Sequence, residues 1–97
     1  MRTVHVTIRG RVQGVGFRAW VEYAALTREI TGWVRNRRDG SVEAVFAGSA
    51  EDVASMVEAC RHGPRSARVD SVEQRVGDAQ DLAQRLPGER FSMLATE

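Results

Sequence analysis

Ninety-seven residues at 42% hydrophobic content suffice for one packed core and leave too little chain to close a second. Fourteen basic residues against thirteen acidic ones give a net charge of +1, which argues against a dedicated nucleic-acid or membrane-surface binder. Every basic residue is an arginine, so Schiff-base chemistry and the lysine of an ATP-binding Walker loop are closed off.

Val4, Val6 and Ile8 alternate with Thr3, His5, Thr7 and Arg9, the period of a strand with one buried and one wet face. A glycine-rich stretch, GRVQGVGFR from Gly10 to Arg18, separates it from Phe17, Val21, Ala24 and Ala25. These recur at helical spacing with Trp20 beside them and predict a helix from about Phe17 to about Arg28. Thr31 to Arg37 and Ser41 to Ala47 read as two strands of a hairpin with Asp39-Gly40 at its tip. Ser49 followed by Asp52 resembles a capping box, and Val53, Met56, Val57 and Cys60 form the stripe of a second helix that Gly63-Pro64 stops. Ala67 to Val76 predicts a fourth strand. GDAQDLAQRLPGER after it is expected to be a loop or a turn of helix, and Phe91 to Leu94 a short edge strand.

The order β-α-β-β-α-β predicts an α+β ferredoxin-like sandwich, an antiparallel sheet of four to five strands with two helices on one face, over a single domain spanning 1–97. That fold hosts many functions, so the site must carry the inference. Cys60 has no partner for an internal disulfide and, with only His5 and His62 beside it, no metal-ligand cluster. No signal peptide and no apolar run near the ~20 residues of a membrane span occurs. Cytoplasmic localisation is expected.

At a strand-to-helix turn the first helical N–H groups lack partners and carry the positive end of the helix dipole, so an anion is the natural occupant. Gly10, Gly14 and Gly16 let a ligand approach the amides, and Arg18 in the first helical turn offers a fork matching two phosphate oxygens. A phosphoryl group is the expected guest. The spacing is neither the dinucleotide fingerprint nor a Walker loop.

GRVQGVGFR, followed after one helix by TGWVRNRRDGSVEAVFAG, closely resembles the acylphosphatases, small ferredoxin-like hydrolases of the carboxyl-phosphate anhydride. The resemblance continues through GPRSARVD and FSML. It implies hydrolysis of acyl phosphates, a phosphate cradle on the amides of Arg11, Val12, Gln13, Gly14, Val15, Gly16 and Phe17, a phosphate-binding Arg18, and a water-orienting Asn36. It also implies a small-molecule acyl phosphate as substrate, inorganic phosphate as product ligand, no cofactor or metal, no nucleic-acid or membrane partner, and a monomer. One departure stands out: Arg28-Glu29-Ile30 replaces a Leu-Gly-Leu type ending, so the first helix lacks its left-handed glycine cap, and Leu26 is a candidate to fill lost volume. Trp20, Trp33 and Cys60 are expected to pack, and Arg35, Arg37 and Arg38 to form a solvated turn.

A ferredoxin-like RNA binder would need aromatic residues on the open sheet face, where strands one and three offer His5, Thr7, Glu43 and Val45. An acylphosphatase-like domain handling carbamoyl phosphate inside a larger maturation enzyme shares the cradle, but the chain ends at Glu97 without appended sequence, so a free-standing hydrolase is expected. A phosphate sensor without turnover would have no need of Asn36.

Overall fold

The computed structural model describes Met1 to Glu97. In chain order the elements are β1 (Arg2–Arg11), α1 (Phe17–Thr27), β2 (Thr31–Asn36), β3 (Val42–Gly48), α2 (Ala50–Cys60), β4 (Arg68–Val76), α3 (Ala79–Leu82) and β5 (Phe91–Met93). The alternation read in the sequence is the alternation of burial. Val4, Val6 and Ile8 of β1, Val34 of β2, and Val42, Ala44 and Phe46 of β3 project to one face. There they meet Phe17, Val21, Ala24 and Ala25 of α1 and Val53, Met56, Val57 and Cys60 of α2 in one contiguous core. Burial pushes the Cys60 thiol up to about 12, so this cysteine behaves as a small hydrophobe.

The five strands lie in the order β4-β1-β3-β2-β5. β1, β2, β3 and β4 pair antiparallel, but β2 and β5 are parallel, with Gly32 opposite Phe91 and Val34 opposite Met93. The sheet is therefore mixed, which corrects the purely antiparallel expectation. The cause is the segment after β4: it leaves one edge, crosses the sheet face opposite α1 and α2, and delivers β5 to the other edge running the same way as β2. α3 lies on that crossing. A capping box closes it, with Asp81 N–H donating to Asp78 at 2.8 Å and Asp78 N–H to Asp81 at 3.0 Å. At α2 only half of the expected box forms, Asp52 N–H donating to Ser49 Oγ at 3.1 Å.

The crossing segment turns the far sheet face into a partly closed polar layer. Trp33 is buried there, and its Nε1 donates to the Asp81 carbonyl at 2.6 Å. Arg35 lies 4.8 Å from the centroid of the Trp33 ring and donates through Nε to Glu43 at 2.7 Å and through Nη1 to Gln84 at 3.1 Å and Glu97 at 3.2 Å. His5 meets the other oxygen of Glu43 at 2.6 Å. Burial alone would raise the Glu43 carboxyl, yet hydrogen bonds from His5 and Arg35 outweigh it and hold the group below its ordinary value. Arg35, 7% exposed, is thus structural and buried rather than part of a solvated turn.

The end of α1 departs from expectation in a second way. Glu29 takes the left-handed conformation, φ 57°, that a glycine would normally fill. Its N–H donates to Leu26 at 3.1 Å and that of Ile30 to Ala25 at 2.9 Å, the two bonds of a Schellman closure. Ile30 fills the interior beneath, whereas Leu26 points outward and stays exposed.

Candidate active site

Two local facts bring the glycine turn and the hairpin together. Period two along β2 sends Trp33 and Arg35 to the polar layer and Val34 and Asn36 to the helix side, so Asn36 ends the strand facing the start of α1. At the opposite wall, Val12 and Phe17 anchor the two ends of the turn in the core, leaving Gln13 to Gly16 to arch between them. The cavity enclosed is about 180 Å³ and is lined by Val12, Gln13, Gly14, Gly16, Phe17, Arg18, Ala19, Asn36 and Met93.

Its chemistry is that of a ring of donors. Gly14 and Gly16 hold φ of 73° and 77°, and a Cβ at either would meet no protein atom within 4 Å, so their conformation and the open space beside them both suit a ligand close to the backbone. No amide from Gln13 to Gly16 donates to a protein acceptor. Gly16 is the N-cap of α1 and offers no side-chain cap, so the first-turn N–H groups of Phe17, Arg18 and Ala19 also lack intrahelical partners. The dipole of α1 adds positive potential at the same point. The guanidinium of Arg18 and the carboxamide of Asn36 make no hydrogen bond to protein, and the lining holds no carboxylate, histidine or cysteine.

Eight residues were expected at the phosphate cradle. Val12, Gln13, Gly14, Gly16, Phe17 and Arg18 line the cavity together with Asn36. Arg11 lies outside it, exposed at the end of β1 opposite Arg68, and Val15 packs its side chain against the core edge while its carbonyl accepts from Ser66 Oγ at 3.2 Å. Ala19 and Met93 line it without having been singled out. Ala19 follows from helical geometry after Arg18, but Met93 depends on the parallel docking of β5, for which no local signal exists. The Gln13 side chain was also missed: its Nε2 donates to the carbonyls of Arg37 at 2.7 Å and Ser41 at 2.8 Å. A polar residue inside an otherwise apolar and glycine-rich turn was the available sign.

A wider depression of about 480 Å³ lies over Leu82 to Arg90. Its lining comes from one stretch of chain and includes the Glu89 carboxylate, whereas the smaller cavity gathers residues of the glycine turn, α1, β2 and β5 with no carboxylate and is the stronger candidate for an anion. No helix is long and apolar enough to cross a membrane.

Residues 4–92 match the acylphosphatase family model. An acylphosphatase from Bradyrhizobium diazoefficiens is 61% identical over 93 residues, covering 96% of this chain and 94% of its own length. Among solved structures, an acylphosphatase from Bacillus subtilis superposes with a TM-score of 0.83 at 36% identity, covering 97% of this chain and 99% of that one. One from Coxiella burnetii gives 0.79 at 33% identity over 96% and 92%.

Proposed function

The chain belongs to the acylphosphatase family and hydrolyses acyl phosphates to carboxylate and inorganic phosphate, and we propose that the turn amides and Arg18 hold the phosphoryl group while Asn36 orients the attacking water. Support comes from one convergence: unpartnered amides, an unpaired guanidinium and a free carboxamide open onto the same small cavity.

The reaction asks little more than this. An acyl phosphate already carries a carboxylate leaving group, so no strong acid is required, and the barrier is lowered mainly by positioning and by stabilising charge on the equatorial oxygens. Fixed amides and a guanidinium do this without reorganising. The water oxygen forms a bond to phosphorus as the bond from phosphorus to the acyl oxygen breaks, and the carboxylate leaves with the electron pair. Asn36 accepts one water hydrogen through its carbonyl and donates through its amide, which aims the attack without removing a proton. The proton passes to a phosphate oxygen of the substrate itself, a route that fits a lining free of carboxylate, histidine and cysteine.

Inorganic phosphate, as product, binds the same cradle. The single contiguous core supports one domain over residues 1–97, and the lone buried Cys60 suits a reducing cytoplasm, where the domain is proposed to act as a monomer.

The test is a titration with inorganic phosphate followed through amide chemical shifts. The amides of Gln13 to Ala19 are expected to move together with one saturation curve. Shifts centred instead on Leu82 to Arg90 would overturn the assignment.

A further inference from the structure

Because Gln13 to Gly16 donate no amide hydrogen bond to protein, the turn is positioned by few contacts. Val12 and Phe17 pin its ends, and Ser66 Oγ holds the Val15 carbonyl from the side of β4. None of these is a hydrogen bond to the hairpin that carries Asn36, which Val12 and Phe17 meet only through the shared apolar core. The polar link across the cavity is the Gln13 carboxamide. Both of its hydrogens are used, one on the Arg37 carbonyl at 2.7 Å and one on the Ser41 carbonyl at 2.8 Å. Those two carbonyls flank the mouth of the hairpin, which Arg37 N–H closes on the Ser41 carbonyl at 2.8 Å, and Arg37 directly follows Asn36.

We infer that the Gln13 side chain is a positioning residue for hydrolysis: by bridging the turn to the mouth of the hairpin it fixes the separation between the phosphoryl cradle and the water held by Asn36. The inference rests on the roles proposed above for the cradle and Asn36, and it concerns a different group of Gln13 from the amide assigned to phosphate. Its physical basis is the sensitivity of in-line attack to geometry, where a displacement of about 1 Å costs on the order of 10²-fold in rate. Neither the cradle nor Asn36 moves chemically when the bridge is lost; only their spacing relaxes.

Gln13→Met keeps the length and volume of the side chain and removes both donors. It is expected to lower kcat about 10- to 100-fold while the inhibition constant for inorganic phosphate stays within about twofold, since the anion is assigned to the turn amides and Arg18 and not to the hairpin. Asn36→Ala is measured beside it, with the double variant. With Asn36 gone the spacing no longer matters, so adding Gln13→Met is expected to change kcat by less than about twofold. Gln13→Asn, which retains the donors but is too short to span both carbonyls, is expected to lose kcat in the same direction and guards against a folding defect in the methionine variant. Wild-type kcat in both Gln13 variants, full multiplication of the two single effects, or phosphate affinity falling in step with kcat would each overturn the inference. Wild-type activity in Asn36→Ala would instead sink the role given to Asn36, so the two failures are told apart.

Discussion

Arg35 and Glu43 stand directly opposite one another on β2 and β3, their side chains joined at 2.7 Å on the face of the sheet away from the helices. With side-chain exposures of 8% and 14% they are substantially withdrawn from water, and His5, Arg37, Gln84 and Glu97 complete their hydrogen bonding. Removing Glu43 takes the closest carboxylate from the buried Arg35 guanidinium and leaves it Gln84 and the exposed Glu97, which costs more than the pair contributes. Glu43→Ala is expected to destabilise the fold by about 2–3 kcal/mol, with some discount for residual solvent. Replacing both residues, Arg35→Met with Glu43→Leu, is expected to recover most of that loss. Urea denaturation of the three variants checks this; a double variant no more stable than Glu43→Ala would show that the charge itself is not the cause.

Arg18 and Asn36 share a cavity but are assigned to different atoms of the reaction, and that difference is measurable. Arg18→Ala is expected to reduce kcat/KM by about 10³-fold or more and to weaken inhibition by inorganic phosphate, because the guanidinium is assigned to the anion. Asn36→Ala is expected to reduce kcat strongly and leave that inhibition nearly intact. Benzoyl phosphate turnover, followed by ultraviolet absorbance with phosphate as competitor, gives both quantities. Near-native activity in Arg18→Ala, or parallel loss of phosphate inhibition in Asn36→Ala, would contradict the division of labour.

What the sequence made legible follows from the range of the interactions concerned. β1, α1, β3 and α2 each carry their own period, and the residues that set it, from Val4 to Cys60, are the ones buried in the core, while β2 is buried on both faces and is legible chiefly as the partner of β3 in the hairpin. β4 alternates poorly because it is an edge strand whose side chains are largely exposed. α3 lacks any apolar stripe and exists through its cap and its docking on Trp33 and Arg75. The parallel placement of β5 depends on where the crossing segment lands, which no window of sequence contains. The site divides in the same way. Arg18 and Asn36 lie in compact motifs, whereas the role of the Gln13 side chain depends on Arg37 and Ser41, and the burial of Arg35 depends on Gln84 and Glu97 far along the chain.

The crossing segment also sets an acid limit. Arg75 grips the Asp81 carboxylate with two nitrogens at 3.0 and 3.2 Å and, with a further contribution from the Asp78 amide, lowers it from its ordinary 3.8 to about 2. A carboxyl depressed in the folded state contributes stability that is complete above its ordinary value and is lost as pH falls through the folded one. The Asp81 contribution should therefore disappear between pH values of 3.8 and about 2. Asp81→Asn is expected to be less stable than wild type at neutral pH and to show a flatter dependence of stability on pH across that window. Urea midpoints collected through it are the check, and parallel curves for the two proteins would remove Asp81 from the account.

Glu29 offers the converse case, a position where the native residue opposes its own backbone. The left-handed φ of 57° places a Cβ against the following carbonyl, which costs roughly 1–2 kcal/mol for an L-residue and nothing for glycine. The strain persists because the closure is otherwise complete: Leu26 and Ala25 receive their hydrogen bonds, and buried Ile30 anchors the chain beyond. Arg28 adds support by donating to the Ala24 carbonyl at 3.0 Å and to Ser55 Oγ at 3.1 Å, tying the end of α1 to α2. Glycine at 29 relieves the strain but gains conformational freedom in the unfolded chain, which offsets about 0.4–1 kcal/mol of the relief. The difference leaves Glu29→Gly more stable by about 0.5–1 kcal/mol, a rise of several degrees in Tm for a domain of this size. Glu29→Ala keeps the Cβ clash and should not rise with it. Thermal melts of the two variants decide the matter, and a Glu29→Gly midpoint at or below wild type would show that the left-handed turn is not the strained element.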